Sequence, residues 1–126
     1  MAKVILRTDR APSSPLYSQG VKAGPHVYVS GMVGLDPVTK QMAGTTVGEQ
    51  TRQALANCQA VLEAAGAGLG DVVQVVVLLA DPADFAAMNE AYSAVFATDP
   101  PARAVTKLGV ALPNVLASLQ MTAYVG

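Results

Sequence analysis

The segment Val72 to Ala80 reads Val-Val-Gln-Val-Val-Val-Leu-Leu-Ala and lies between Gly70-Asp71 and Asp81-Pro82. It is too short to span a bilayer, and its density of valine and leucine predicts a strand with at least its centre buried on both faces. Such a strand needs covering layers, and the flanking segments have the periodicity to supply them. From Thr46 to Ala65, the residues Val47, Thr51, Ala54, Leu55, Cys58, Val61, Leu62 and Ala65 recur at spacings of three and four, which predicts an amphipathic helix. Gly66 and Gly68 mark its end, since glycine accepts the left-handed conformation that a helix C-terminus often needs. Beyond the valine run, Pro82 suits the first turn of a second helix capped by Asp81. Its apolar stripe is Phe85, Met88, Tyr92, Val95 and Phe96, and Asp99-Pro100-Pro101 stops it.

Val27-Tyr28-Val29 runs into Ser30-Gly31-Met32-Val33-Gly34 between the turn signals Gly24-Pro25 and Asp36-Pro37, and reads as another strand. Two more fit Ala102 to Ala111 and Leu116 to Val125, separated by Leu112-Pro113-Asn114. The predicted order is β, β, α, β, α, β, β, an arrangement in which two helices cover one face of one sheet and the other face must find a partner. Segments 46–80 and 82–111 are of similar length, which hints at internal pseudo-symmetry without a residue-level repeat.

At 126 residues the chain predicts a single domain, 1–126, because a split would leave two marginal halves. With 52% apolar and 13% charged residues, the surface is either unusually plain or partly covered by other copies of the chain. A net charge of −1, with eight Lys and Arg scattered from Lys3 to Lys107, gives no attraction to a phosphate backbone, so nucleic acid is not expected as a partner. Cys58 is the only cysteine, which excludes an internal disulfide and a thiolate metal cage, and it falls on the first helix's apolar stripe as a small core residue. The single His26 cannot build a metal site unaided and reads as a turn residue. Met1 to Arg10 lacks an apolar run of signal-peptide length, so the expectation is a cytoplasmic protein with no membrane partner.

Gly-rich phosphate loops, Cys/His pairs, HExxH and a nucleophile elbow are all missing. What remains is a thin set of polar residues near strand ends: Tyr17, Ser30 with Gly31, Arg103, and the pair Ser118 and Gln120. Arg103 opens an otherwise apolar strand, where it is either a clamp for a ligand carboxylate or an ordinary surface arginine. Ser30-Gly31 either offers a hydroxyl and a backbone N–H to a ligand oxygen or forms a plain turn or bulge. Ser118 and Gln120 are two apart and share one strand face, with Leu119 and Met121 on the other, so they either hold a water or form the solvated side of a strand.

The motifs Ala11-Pro12, Tyr17-Ser18-Gln19-Gly20, Val29-Ser30-Gly31-Met32-Val33-Gly34-Leu35-Asp36-Pro37 and Gln50-Thr51-Arg52-Gln53-Ala54-Leu55-Ala56-Asn57 resemble the N-terminal half of RidA (YjgF-type) proteins. The resemblance continues in order through Leu62-Glu63-Ala64-Ala65-Gly66, Asp84 to Tyr92, Pro101-Ala102-Arg103 and Leu112-Pro113, and so covers nearly the whole chain. It implies a chorismate-mutase-like α+β fold, with one mixed sheet carrying two helices on one face and a homotrimer that closes the sheets into a central barrel. It also implies ligand clefts between neighbouring subunits. By the same resemblance Arg103 binds a substrate carboxylate bidentately, aided by the backbone N–H groups of Gly31 and Val105, while Tyr17 and Ser30 line the pocket. Val105 stands where many members carry cysteine, a change that leaves its backbone donor intact.

Deaminating relatives place a water-positioning glutamate fifteen residues after the arginine, and Ser118 occupies that position here. A serine hydroxyl cannot act as a carboxylate base, although it can orient a water, and Gln120 can assist by hydrogen bonding. The reaction implied is hydrolytic deamination of small imine or enamine acids of the 2-aminoacrylate type to 2-keto acids and ammonia, with no metal or organic cofactor. The alternative is a non-catalytic module that binds a small carboxylate such as a keto acid. A ribonuclease or translation-inhibitor role, attached to some relatives, is disfavoured by the acidic charge balance.

Overall fold

The computed structural model describes residues 2–126. Strands β1 (Val4–Leu6), β2 (Gly20–Ala23) and β3 (His26–Val33) precede helix α1 (Val47–Ala64). Strand β4 (Val72–Leu79), helix α2 (Phe85–Val95), β5 (Ala102–Lys107) and β6 (Ala117–Tyr124) follow. The six strands form one sheet in the order β1-β2-β3-β6-β4-β5, antiparallel throughout except for the parallel pair β4 and β5. Among the described residues no helix is long and apolar enough to cross a membrane.

Helix α1 begins where its cap chemistry dictates. Thr46 Oγ1 accepts from the Glu49 N–H at 3.2 Å while Glu49 Oε1 accepts from the Thr46 N–H, so two otherwise orphaned donors are satisfied reciprocally. The hydrogen bond from the Thr46 hydroxyl holds the Glu49 carboxyl below the usual carboxylate range, as the capping geometry requires. At the other end Gly66 has φ +77°, the left-handed conformation anticipated for it.

One face of the sheet is packed and the other is open. Val27, Val29 and Met32 of β3, Leu119, Met121 and Ala123 of β6, and Val75, Val77 and Leu79 of β4 are buried with Leu55, Cys58, Val61 and Leu62 of α1 and Met88 and Tyr92 of α2. Opposite them, Tyr28, Gln120, Thr122, Tyr124, Gln74, Val76 and Leu78 face away from the helices and stay partly or fully exposed. Within one copy, the expectation that at least the centre of Val72 to Ala80 is buried on both faces is therefore corrected. The chain has helices enough for one layer, and its second sheet face has no helical layer over it within the same copy. A bulge between Val72 and Gln74 also turns Val73 outward.

Four further expectations are corrected. Three strands rather than two precede α1, because β1 and β2 are too short to carry a periodic signal. Asp81 does accept from the Ala83 N–H, but it caps a 3₁₀ turn over Pro82–Asp84, and the α-helix proper starts at Phe85. Phe85 and Val95 are exposed, so the buried stripe of α2 narrows to Met88, Ala91, Tyr92 and Phe96. The strand expected to run to Ala111 stops at Lys107 and lies at the sheet edge with most residues exposed, so it is not the apolar strand that the sequence suggested.

Loops around the sheet ends are tied to the core by buried amides. Gln50 donates to Gly44 O (3.1 Å) and Asn114 O (2.9 Å) and accepts from the Leu116 N–H (2.8 Å), joining the loop before α1 to the loop before β6. Asn57 donates to Val33 O and Leu35 O, both at 2.9 Å. Gln19 donates to Thr8 O, Ala11 O and Pro12 O and accepts from the Thr8 N–H. Substituting Gln50→Leu keeps the volume and strands three backbone groups, so we expect roughly 2–4 kcal/mol of destabilisation, read as a lower urea midpoint at fixed protein concentration.

Candidate functional site

The bulge in β3 brings the first group of polar residues together. Val29 pairs with Met121 and Met32 with Leu119, so Ser30 and Gly31 both stand opposite the single residue Gln120. The extra residue keeps Met32 on the core side and leaves Ser30 and Gly31 without regular ladder partners in β6. Ser30 is fixed from the other side, with its N–H donating to Gln19 O at 2.9 Å and its hydroxyl donating to Ser18 O at 2.5 Å. Gly31 is exposed, and a Cβ there would come within 3.1 Å of Ser118 Oγ, so glycine keeps the backbone open beside that hydroxyl. Ser118 is buried, Gln120 is exposed, and both lie on the open sheet face as their spacing predicts. Tyr17 is half exposed in the loop before β2, on the rim of a cleft of about 880 Å³ shared with Leu35, Met42 and the Leu112–Leu116 segment.

Arg103 lies elsewhere. It pairs with Val75, which faces the helices, so its side chain projects from the helix side of β5. There the guanidinium sits 4.8 Å from the Tyr92 ring centre and 5.9 Å from that of Phe85, while its Nη1 donates to Asn89 Oδ1 at 2.7 Å. Phe85, Asn89 and Tyr92 are spaced i, i+4, i+7, which puts them on one stripe of α2 as a platform of two aromatic faces and an amide. Sequence reading did not single out Asn89. The signal available was a lone amide between two aromatics at helical spacing, facing a strand that begins with arginine. Among the described residues no carboxylate pairs with Arg103, whereas Arg10 pairs with Glu63 at 2.7 Å.

Val105 follows on the same side of β5, half buried against the core. The Leu108 N–H donates to Leu79 O at 2.8 Å, and this fixes the alternation along the edge strand. Ala104 and Thr106 turn their backbone groups towards β4, while Arg103, Val105 and Lys107 turn theirs towards the open edge. The Val105 N–H is thus directed away from the sheet, where a ligand oxygen can reach it.

The two groups do not meet within one copy. Ser118 is level with Leu78, which is level with Thr106, so two strand spacings of roughly 5 Å each separate Ser118 from the edge strand. Arg103 is three residues further along β5 and on the opposite face. Cys58 takes no part in either group. It is fully buried with its thiol pushed up to about 12 by loss of solvent, which suits the core role expected of it and not a nucleophile.

Comparison with known proteins places this geometry. The family model described as Endoribonuclease L-PSP matches residues 8–125. A RutC family protein of Pyrococcus abyssi is 40% identical over 126 residues, covering 98% of each chain. The 2-iminobutanoate/2-iminopropanoate deaminase of Mus musculus is 42% identical over 111 residues, covering 87% of this chain and 82% of the mouse protein. The crystal structure of RidA from the Antarctic bacterium Psychrobacter sp. PAMC 21119 superposes with a TM-score of 0.91 at 36% identity, over 97% of this chain and 99% of that one. Matching motifs, a match along nearly the full length, and a shared mixed sheet with two helices on one face lead to one conclusion: the chain belongs to the RidA (YjgF-type) family.

Proposed function

We propose that the protein hydrolyses small 2-imino acids, and the enamines that tautomerise to them, in clefts formed between copies of the chain. The observation that carries this reading is the state of Arg103. Its guanidinium is braced by Asn89, Tyr92 and Phe85, has no carboxylate partner among the described residues of its own copy, and stands beside an outward-facing backbone N–H at Val105. A planar donor fork of that kind is suited to a ligand carboxylate, which the acids named for the mouse relative possess. The Ser30-Gly31 bulge with Ser118 supplies the complementary half from a neighbouring copy, and a homotrimer would cover the open sheet face at the same time.

In the reaction, an enamine first gains a proton at its β-carbon and loses one from its nitrogen to become the imine. A water held near Ser118 and Gln120 adds through its oxygen to the imine carbon, while the nitrogen takes up the C=N electron pair and a proton. The resulting carbinolamine passes its hydroxyl proton to the nitrogen and collapses to the 2-keto acid as the C–N bond breaks and ammonia leaves. Arg103 neutralises the carboxylate and fixes the orientation of the imine carbon, so the chain supplies placement more than acid–base power.

The second reading, a keto-acid binding module, is favoured by one observation. The open face carries Ser118, Gln120 and Thr122 but no Asp or Glu from any strand that forms it. A nuclease reading has no comparable support, since the net charge is −1 and the cations are dispersed.

Keto-acid release from imines generated in situ by an amino-acid oxidase tests the proposal. Subunit mixing tests the shared cleft: Arg103→Ala and Gly31→Val should each be weak, and their mixed oligomers should regain activity at about a quarter of the clefts. If the mixture is no better than its components, both halves are not drawn from different copies.

A further inference from the structure

A cleft of about 520 Å³ lies between the starts of α1 and α2 and shares no residue with the Arg103 platform or the Ser30-Gly31 bulge. Small residues make the room. Gly48 stands on the α1 wall and Ala87 and Ala91 on the α2 wall, where longer side chains would close the gap between the helices. The charges are divided between the two walls, with Arg52 on α1 and Asp84 and Glu90 on α2. The Arg52 guanidinium folds back over the first turn of its helix, since a Cβ at Gly48 would lie 3.6 and 3.7 Å from its two Nη atoms. Among the described residues the one ion pair joins Arg10 to Glu63, so Arg52 and the two carboxylates opposite it face each other across the cleft unmatched. Glu49, on the same helix as Arg52, is engaged in the Thr46 cap.

Thr51 adds a separate sign of an absent guest. It is fully buried, and its hydroxyl has no hydrogen-bond partner. It stands three and four residues after Gly48 and Val47, both in the α1 wall, and helical side chains lean towards the N-terminal turn, so it leans towards that wall. A buried hydroxyl left unpaired calls for a polar group from outside the chain.

We propose that this cleft binds a free aliphatic α-amino acid, with its carboxylate on Arg52, its ammonium between Asp84 and Glu90, and its side chain against Val47, Ala87 and Leu116. The proposal is independent of the imine-hydrolase reading. A simple anion entering the cleft meets two carboxylates, and a simple amine meets a guanidinium, whereas a zwitterion satisfies both walls. The size agrees: the short span from nitrogen to carboxylate in an α-amino acid, with a charge-assisted hydrogen bond of about 2.8 Å at each end, covers roughly 8 Å, which a cleft of this volume accommodates. Thr45 and Leu116 wall both this cleft and the one at Tyr17, so the two sites back onto each other.

Calorimetry on the intact protein carrying Arg103→Ala, which removes the carboxylate clamp of the proposed reaction, isolates the cleft. Three probes share one branched skeleton: L-valine, 3-methyl-2-oxobutanoate without the ammonium, and 2-methylpropylamine without the carboxylate. We expect L-valine to bind at least about 10-fold more tightly than either of the others. Adding Arg52→Ala, or Asp84→Asn together with Glu90→Gln, should weaken L-valine by about 10-fold or more, and Ala87→Leu should block it by filling the space. None of these changes threatens the fold, because Arg52, Ala87 and Glu90 are exposed and the Asp84 side chain makes no cap hydrogen bond; circular dichroism checks this. Equal binding of the keto acid or of the amine overturns the proposal, since one wall alone would then suffice. Undiminished binding in the Arg52→Ala or Ala87→Leu variant overturns it as well. If L-valine binds the wild type and not Arg103→Ala, the amino acid occupies the clamp and the cleft is not its site.

Discussion

Arg103→Ala is expected to lower kcat/KM for imine hydrolysis by about 10²- to 10³-fold while leaving the fold intact. The side chain is exposed on an edge strand, so its removal opens no core cavity. On the proposed mechanism, the substitution removes a pair of charge-assisted hydrogen bonds to the substrate carboxylate, each contributing roughly 1.5–3 kcal/mol, and with them the alignment of the imine carbon. Arg103→Lys should recover little of that loss, because an ammonium presents a point charge and not a fork. Steady-state assays on imines generated in situ, with circular dichroism as the control for folding, measure the effect. Full activity in Arg103→Ala would remove the carboxylate clamp from the mechanism.

The opposite sign is expected at Ser118. Introducing Ser118→Glu places a carboxylate on the open face beside Gly31 and next to Gln120, where the proposed mechanism puts the attacking water, and we expect kcat to rise by about 10²- to 10⁴-fold. Because Ser118 is buried, the new carboxyl loses solvent, and its pKa moves upward towards neutral pH, which suits a general base. Activity should accordingly gain an acid limb, falling as pH drops below that pKa. A variant no faster than wild type would mean that the water is activated by another group. If the wild type equals buffer and the variant does not, the natural chain is a binding module whose cleft lacks only the base.

Much of this was legible before the structure, for reasons that differ from element to element. Helix α1 could be placed to within a residue because its apolar residues from Val47 to Ala65 recur at spacings of three and four and Gly66 forms a left-handed stop, both local signals. Strand β4 could be found from its valines, but not its exposure, because whether a second face is covered depends on how many layers the chain can build. The polar side of β6 followed from period two alone, and Ser118 and Gln120 lie where that period puts them. The site's division was hidden. Nothing in residue spacing reveals that Arg103 and Ser118 project from opposite faces of the sheet, since that depends on the parallel register of β4 and β5. Gln50 and Asn57 lie outside the apolar stripe that the spacing predicts for α1, yet both are buried, because the carbonyls they serve come from distant loops.

Those loop-fastening side chains have a bearing on kinetics. Gln19, Gln50 and Asn57 are uncharged and gain or lose no proton across the working range of the protein. These three ties around Tyr17, the β3 bulge and the Leu112–Leu116 segment are consequently indifferent to acidity, so a bend in a pH–rate profile does not report on them coming undone.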